Sequence, residues 1–503
     1  MRYHFLIITA LLIGVVTLLF ALRWRDYIKD AMKKRSRFIE FAKKLPGPPT
    51  LPFFGNALTF WETDRTVITL LDIHRKLNKS IFKFWLGPSL KIVVTDPDDF
   101  EILLKSPHAS KKDDLYLCME PAIVNGLINS NLGSYRLHKK ILTPIINSTA
   151  SVSRHAEKFN YHASILVDRL KEKCGKEEFD AHDYIGFCVG DIAFETLTGL
   201  AGKGQLGEPS PFYHLSQEGL HILTYRMMRP WLHPDFIFRL TRSGRKFYKI
   251  TKEAHAFVDY FIAEKIKNYD PMHEEELHTY KPVIDTLIDH MMVSKDLTPE
   301  ELRYEFVTLF VAMFETVEGV SCLILSMIAM YPEVQEKIRQ EINNVCKSDY
   351  ISESEVSDLV YLEMVIKECL RLFPVGPVLP RKITEDIKLS TCTVPKDISV
   401  FMLIFSTHRN PKYWKDPEKF IPERFAPENS KDRHPYQYLP YSSGLRMCPG
   451  PKYGVVCAKI LMAKILRSYY LTSTMTLDTI RLHTHLSTRF TDGYWIKLTE
   501  IQA

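Results

Sequence analysis

Tyr441-Ser442-Ser443-Gly444-Leu445-Arg446-Met447-Cys448-Pro449-Gly450 sets one cysteine in a glycine-containing turn, and residues 452–470 behind it have the apolar periodicity of a helix. A cysteine so placed is held as a thiolate with little cost. Backbone amides and the positive end of the following helix stabilise negative sulfur, while Gly444 and Gly450 let the backbone come close to a bound group. A lone cysteine before a helix is nevertheless more often just a small buried residue, so the chemistry must be read from what accompanies it.

Three other stretches accompany it. Glu368-Cys369-Leu370-Arg371 lies on a predicted helix, where residues three apart share a face and form an ion pair. Pro422-Glu423-Arg424-Phe425 supplies a second arginine. Residues 302–330 are helical in period and long enough to cross a domain, with their apolar run interrupted at Glu315-Thr316. An exposed intrahelical Glu–Arg pair contributes little by itself, but all of these pieces in this order are not a chance pattern.

Together they resemble the cytochrome P-450 superfamily of microsomal type, from the N-terminus to the C-terminus. Phe-x-x-Gly-x-Arg-x-Cys-x-Gly is met at every fixed place except the first, where Tyr441 stands for phenylalanine. Glu-x-x-Arg falls at Glu368 and Arg371, and Arg424 completes the family's structural triad. The family's distal helix carries Ala/Gly-Gly-x-Asp/Glu-Thr; here it reads Ala312-Met313-Phe314-Glu315-Thr316, with methionine in the usual place of glycine. The distance from Thr316 to Pro332 fits this register rather than one shifted to Glu318. Where the family offers Trp-x-x-x-Arg to a haem propionate the chain has Tyr135 and Lys139, and Arg381 and Arg446 match further propionate partners. Residues 114–126, 225–240 and 367–387 are most similar to the fatty-acid omega-hydroxylase group and its arthropod relatives. The chain is a divergent member: Ala312 stands where that group often has a glutamate esterified to a haem methyl, so no covalent link is implied.

The resemblance implies a mainly α fold with small β-sheets (α+β), the cytochrome P-450 fold, behind an N-terminal transmembrane anchor helix. It implies haem b (iron protoporphyrin IX) with Cys448 as the axial metal ligand, and Glu315 with Thr316 as the catalytic proton relay. The activity implied is insertion of one atom of dioxygen into a small lipophilic substrate: a fatty acid, hormone, pheromone-like lipid or xenobiotic. No Gly-x-Gly-x-x-Gly follows a strand, so no flavin or nicotinamide site is read in the chain. Electrons would come from NADPH–cytochrome P-450 reductase, with cytochrome b5 as a further donor, docking near Cys448. Two alternatives share the ligand: a haem-thiolate isomerase, dehydratase or aldehyde-cleaving enzyme, and a haem-containing binding protein with reduced turnover. Retention of Glu315-Thr316 argues against the first, Met313 and the altered propionate motif motivate the second, and NADPH consumption separates them.

Bulk properties agree. Of 503 residues, 46% are hydrophobic and 25% charged, as in a globular chain with a sizeable core. The net charge of +6 is concentrated before residue 45, so the body gives no support to nucleic-acid binding. Nine cysteines without a CxxC pair suit reduced thiols facing the cytosol, where the sequons at Asn78 and Asn147 would not be glycosylated. Residues 5–22 carry no charge and are followed by Arg23-Trp24-Arg25 rather than a cleavage site. The expected division is therefore 1–37, a signal anchor with its basic stop-transfer segment, and 38–503, a catalytic domain on the cytoplasmic side of the endoplasmic reticulum membrane. Pro46, Pro48 and Pro49 would form a stiff elbow between them, and residues 231–238 a second, shallow membrane contact.

Overall fold

Thr298-Pro299-Glu300-Glu301 starts the helix on which the body is built. The Glu301 amide donates to Thr298 Oγ1 (3.1 Å) and the Thr298 amide to the Glu301 carboxylate (2.9 Å), a capping box with Pro299 in the first turn. In the structure, a computed structural model describing residues 2–123, 126–269, 281–484 and 487–501, this helix runs unbroken over Pro299–Met330. It begins before the apolar run at 302 because the cap, not the periodicity, sets its start. Long and apolar enough to cross a membrane, it instead lies inside the body, with 78% of its most apolar window buried. Helices His182–Thr198, Pro451–Ser468, Arg242–Lys267 and Val360–Leu372 pack around it. Phe306, Phe310 and Phe314 project from it into the main core, the first two against Phe212.

The fold is mainly helical with small sheets. Ile81–Leu86 and Ser89–Val94, rich in β-branched and aromatic residues, form an antiparallel hairpin. Ser399–Met402 joins it in parallel, followed by Leu379–Lys382 and the short Lys111–Lys112, both antiparallel. That last pairing sets Lys112 opposite Arg381, side by side although far apart in sequence.

Under the core, Glu368 and Arg371 on Val360–Leu372 are fully buried. Arg371 donates twice to the Glu368 carboxylate (both 2.8 Å) and also to the carbonyls of His408 (2.8 Å), Pro417 (2.7 Å) and Lys419 (3.0 Å). Glu368 accepts further bonds from the Ile421 amide (2.9 Å) and Arg424 Nε (3.3 Å).

The N-terminal helix spans Arg2–Lys43, so the sequence boundary at residue 37 falls inside it. Its basic end is latched to the body through Lys34–Asp397 (2.9 Å) and Arg37–Asp386 (2.8 Å). The proline-rich stretch that follows is likewise fastened: the Lys83 amide donates to Pro46 (2.9 Å) and the Asn56 side chain to Pro49 (2.7 Å).

Candidate active site

Cys448 sits where the backbone turns into helix Pro451–Ser468, with Gly450 as its N-cap and Pro451 in the first turn. Gly444 has φ +67°, and a Cβ there would collide with the Leu104 carbonyl, so two independent constraints demand glycine. The Cys448 amide donates to Tyr441 O (3.0 Å), and the Gly450 amide donates to Cys448 Sγ (3.5 Å). Burial pushes the thiol up; the Gly450 amide and then the Lys139 charge pull it back. Enclosed by protein, Cys448 still exposes surface because what it faces is a cavity, and it is the one exposed cysteine of the nine.

Two adjoining cavities, of about 260 and 250 Å³, meet at Cys448 and share Thr316, Val317 and Arg446 in their walls. Ala312 and Met313 line the second, so the methionine narrows the space below the core helix. The Thr316 hydroxyl donates to the Ala312 carbonyl (2.6 Å), closing the helix at this point.

Three cations converge on these cavities. Lys112 and Arg381 come from paired strands and Arg446 from the cysteine turn. Burial, then the charges of Arg381 and Arg446, push Lys112 far down; burial and then Arg381 push Arg446 down to about 10. Arg446 donates to the carbonyls of Ser110 (3.1 Å) and Ser130 (2.6 Å), and its Nη1 is buried without a partner among the described residues. The neighbouring acids are already taken, Asp113 by Lys91 (2.8 Å) and Asp114 by Lys382. Clustered cations, Arg381 and Arg446 buried and Lys112 half-buried, with no free acid beside them among the described residues, call for an anionic ligand. A flat group with carboxylates on one edge fits: cations at the rim, a thiol at one face, and apolar walls from Val317, Val320, Leu370 and Val375.

Of the residues singled out in the sequence, Thr316, Tyr135, Arg381, Arg446 and Cys448 are brought to this space. Tyr135 lies under the Arg446 guanidinium (4.2 Å) and donates to Met447 O (3.1 Å). Lys139, expected beside a propionate, donates to the same carbonyl (3.0 Å) and lines neither cavity. Glu315, expected next to Thr316 in one relay, is directed to the other side of the helix, where Arg489 Nη2 lies 2.9 Å from its carboxylate. The wall between the two is the helix itself. Lys112 was missed because Lys111-Lys112-Asp113-Asp114 reads as exposed charge; only strand pairing turns it inward.

Residues 45–488 match the sequence model of the family described as cytochrome P-450. The chain is 31% identical to cytochrome P-450 4V2 of Mus musculus over 83% of its length and 82% of that protein's. It is 30% identical to cytochrome P-450 4V2 of Homo sapiens (89% and 88%) and 28% identical to cytochrome P-450 4c3 of Drosophila melanogaster (93% and 91%). With a cysteine turn, a core helix and an acid-free rim of cations in place beneath a match that spans most of the sequence, the chain belongs to the cytochrome P-450 family and is a monooxygenase of that family.

Proposed function

We propose that the protein inserts one oxygen atom into a slim lipophilic substrate, with electrons from NADPH delivered by a membrane-bound reductase. The observation that carries this reading is the meeting of Cys448, Thr316 and three acid-free cations at one pair of cavities. Haem b would be held by the Cys448 thiolate, with Arg381, Arg446 and Lys112 toward its carboxylates, and when bound it supplies the activation of dioxygen. Tyr135 and Lys139 fix the carbonyl beside the cysteine and so hold the ligand turn in place. Met447 in that turn is exposed, as are Arg136 and Lys140 on the helix whose Tyr135 and Lys139 reach it, which supports docking of an acidic electron donor there. Thr316 faces the cavity and orients the proton that arrives there, and Glu315 supplies it from behind the helix.

Met313 selects for slim substrates such as long aliphatic chains. The test measures NADPH use, hydrogen peroxide and product with an aliphatic lipid and a bulky polycyclic compound. Thr316→Ala is expected to keep consuming NADPH while more of the reducing power leaves as peroxide, and Met313→Gly to broaden the accepted substrates. A parent that makes no product from any lipid, together with an unchanged peroxide yield in Thr316→Ala, would remove the relay and favour a binding protein.

The same reading places the chain on the endoplasmic reticulum membrane, with residues 5–22 as a single-pass anchor before a catalytic body facing the cytosol. The second contact divides in two: Leu232 and Phe238 are buried, whereas Phe236 and Leu240 are 70% and 74% exposed. Trp231 packs against Phe54 and Trp61, and Phe53 beside them is 94% exposed, so two segments offer one apolar patch. Deleting residues 1–37 is expected to release most of the protein from microsomes. Complete retention in high salt would mean that the patch binds more strongly than an auxiliary contact, and a soluble full-length chain would refute the anchor.

A further inference from the structure

Behind the core helix lies a buried charge cluster that the reaction as outlined leaves unused. Arg489, from strand Thr488–Phe490, lies between two carboxylates of the helix: Glu315 at 2.9 Å and Glu318, with which it makes the tighter pair. His182 Nε2 reaches the second oxygen of Glu318 at 3.1 Å, while its Nδ1 faces Asp183 (3.1 Å). Ser487 donates to Glu315 (2.8 Å). Glu318 is fully buried, but the His182 side chain is 27% exposed and, with Glu315 and Arg489, lines a cavity of about 720 Å³ that opens to solvent. The cluster thus has a dry end against the helix and a wet end at His182.

We propose that Glu318, Arg489 and His182 form a charge clamp that makes Glu315 the carboxyl which takes up a proton from the side cavity and delivers it past Thr316, with Glu318 and His182 as positioning residues. This rests on the relay reading of Glu315 and Thr316 given above. Arg489 is shared between two buried carboxylates and His182 serves one of them, so the carboxylate left with the smaller share of positive charge is the one that keeps the option of a proton. Geometry decides which. Among the described residues Glu318 has Arg489 and His182, and Glu315 has a share of Arg489 and a serine. Burial opposes ionisation of Glu318, but Arg489 and then His182 hold it at about 2, whereas burial outweighs Arg489 at Glu315 and pushes it up. Once protonated, Glu315 loses its ion pair, and its side chain is free to turn toward Thr316, its chain neighbour. There the O–H bond breaks toward a solvent water that the Thr316 hydroxyl would hold in the cavity, and the carboxylate returns to Arg489 to be reloaded from the side cavity. The proton ends in the water that the monooxygenase reaction releases.

His182 makes the clamp sensitive to pH. It faces Glu318 on the core helix, Asp183 and Asp180 at its own end, Arg489, the Tyr494 ring stacked on it at 6.1 Å, Tyr213 and His221 of helix Pro211–Met227, and His483. Burial works against its charge, but the Glu318 hydrogen bond and charge push it up to about 9. The stability this pair contributes is therefore complete below the ordinary histidine value of 6.5 and is lost as pH rises through about 9.

The experiment uses the full-length, haem-loaded protein with reductase, NADPH and dodecanoic acid, and follows the fraction of NADPH recovered as hydrogen peroxide from neutral to alkaline pH. In Glu318→Gln the whole of Arg489 falls to Glu315 and holds it ionised, so the peroxide fraction is expected to rise several-fold at neutral pH with a normal ferrous–CO spectrum. His182→Gln should flatten the pH dependence of that fraction and also the alkaline fall of the parent's thermal midpoint, a readout independent of turnover. If Thr316→Ala raises the peroxide fraction while both clamp variants follow the parent at every pH, the clamp is refuted and the relay stands. If Thr316→Ala is also unchanged, the relay itself fails. Should Glu318→Gln not load haem, His182→Gln decides: a flattened profile supports the clamp and an unchanged one overturns it.

Discussion

Cys448→Ser is expected to give protein whose reduced, carbon monoxide-treated form has lost the red-shifted Soret band, together with all monooxygenase turnover. The cause is the donor atom. A serine hydroxyl stays protonated at neutral pH and is a far poorer ligand for haem iron than a thiolate. Nothing nearby can replace it, because the other eight cysteines are buried or only partly exposed and Cys448 alone turns an open surface to the cavity. Cys457→Ser is the matched control: it lies on the helix that follows the Cys448 turn, fully buried, and should keep the band at a cost of about 1–3 kcal/mol for a buried hydroxyl. A Cys448→Ser protein that retains the red-shifted band would sink the assignment of the ligand.

Glu368→Ala is expected to abolish recovery of folded, haem-loaded protein. The substitution leaves the Arg371 guanidinium fully buried with no counter-charge, leaves Arg424 without its carboxylate, and orphans the Ile421 amide. Breaking a buried pair from one side costs about 3–5 kcal/mol, against a total folding stability of about 5–15 kcal/mol. Glu368→Gln keeps an acceptor for the amide and should be partly recoverable, separating lost charge from lost hydrogen bonding. Arg371→Lys should fail nearly as badly as Glu368→Ala, since three donors on a flexible stem cannot serve the five bonds that the planar fork makes here. Haem content of the purified variants decides the matter, and a normal value for Glu368→Ala would show that the motif carries no structural burden.

What could be read in the sequence was local. The cysteine turn, the Glu368–Arg371 pair and the residues flanking Thr316 declare themselves over ten residues or fewer, because helix period and turn chemistry fix which neighbours can meet. The start of the core helix was legible too, had the capping box at Thr298 been weighed above the apolar run. The partners of these residues were not legible. Lys112 finds Arg381 only through a strand register, and Glu315 finds Arg489 only when strand Thr488–Phe490 packs against the core helix. The direction of Glu315 belongs to the same class, since adjacent positions on a helix point about 100° apart and packing alone says which of them faces the cavity. Glu318 did give a hint, standing three residues on from Glu315 and so on its face of the helix.

The N-terminal helix continues without interruption from the apolar run to Lys43, and its last turns are latched to Asp386 and Asp397. With residues 5–22 in the bilayer as proposed, the body is geared to the membrane by helical phase rather than hung on a flexible tether. Each residue added between the apolar run and the latch would lift the body by about 1.5 Å and rotate it by about 100°, so one extra residue would swing the patch around Phe53 and Trp231 away from the lipid while four would bring it nearly back. Length in this segment therefore acts as an angular setting, and its exposed latch pairs make that setting looser as ionic strength rises.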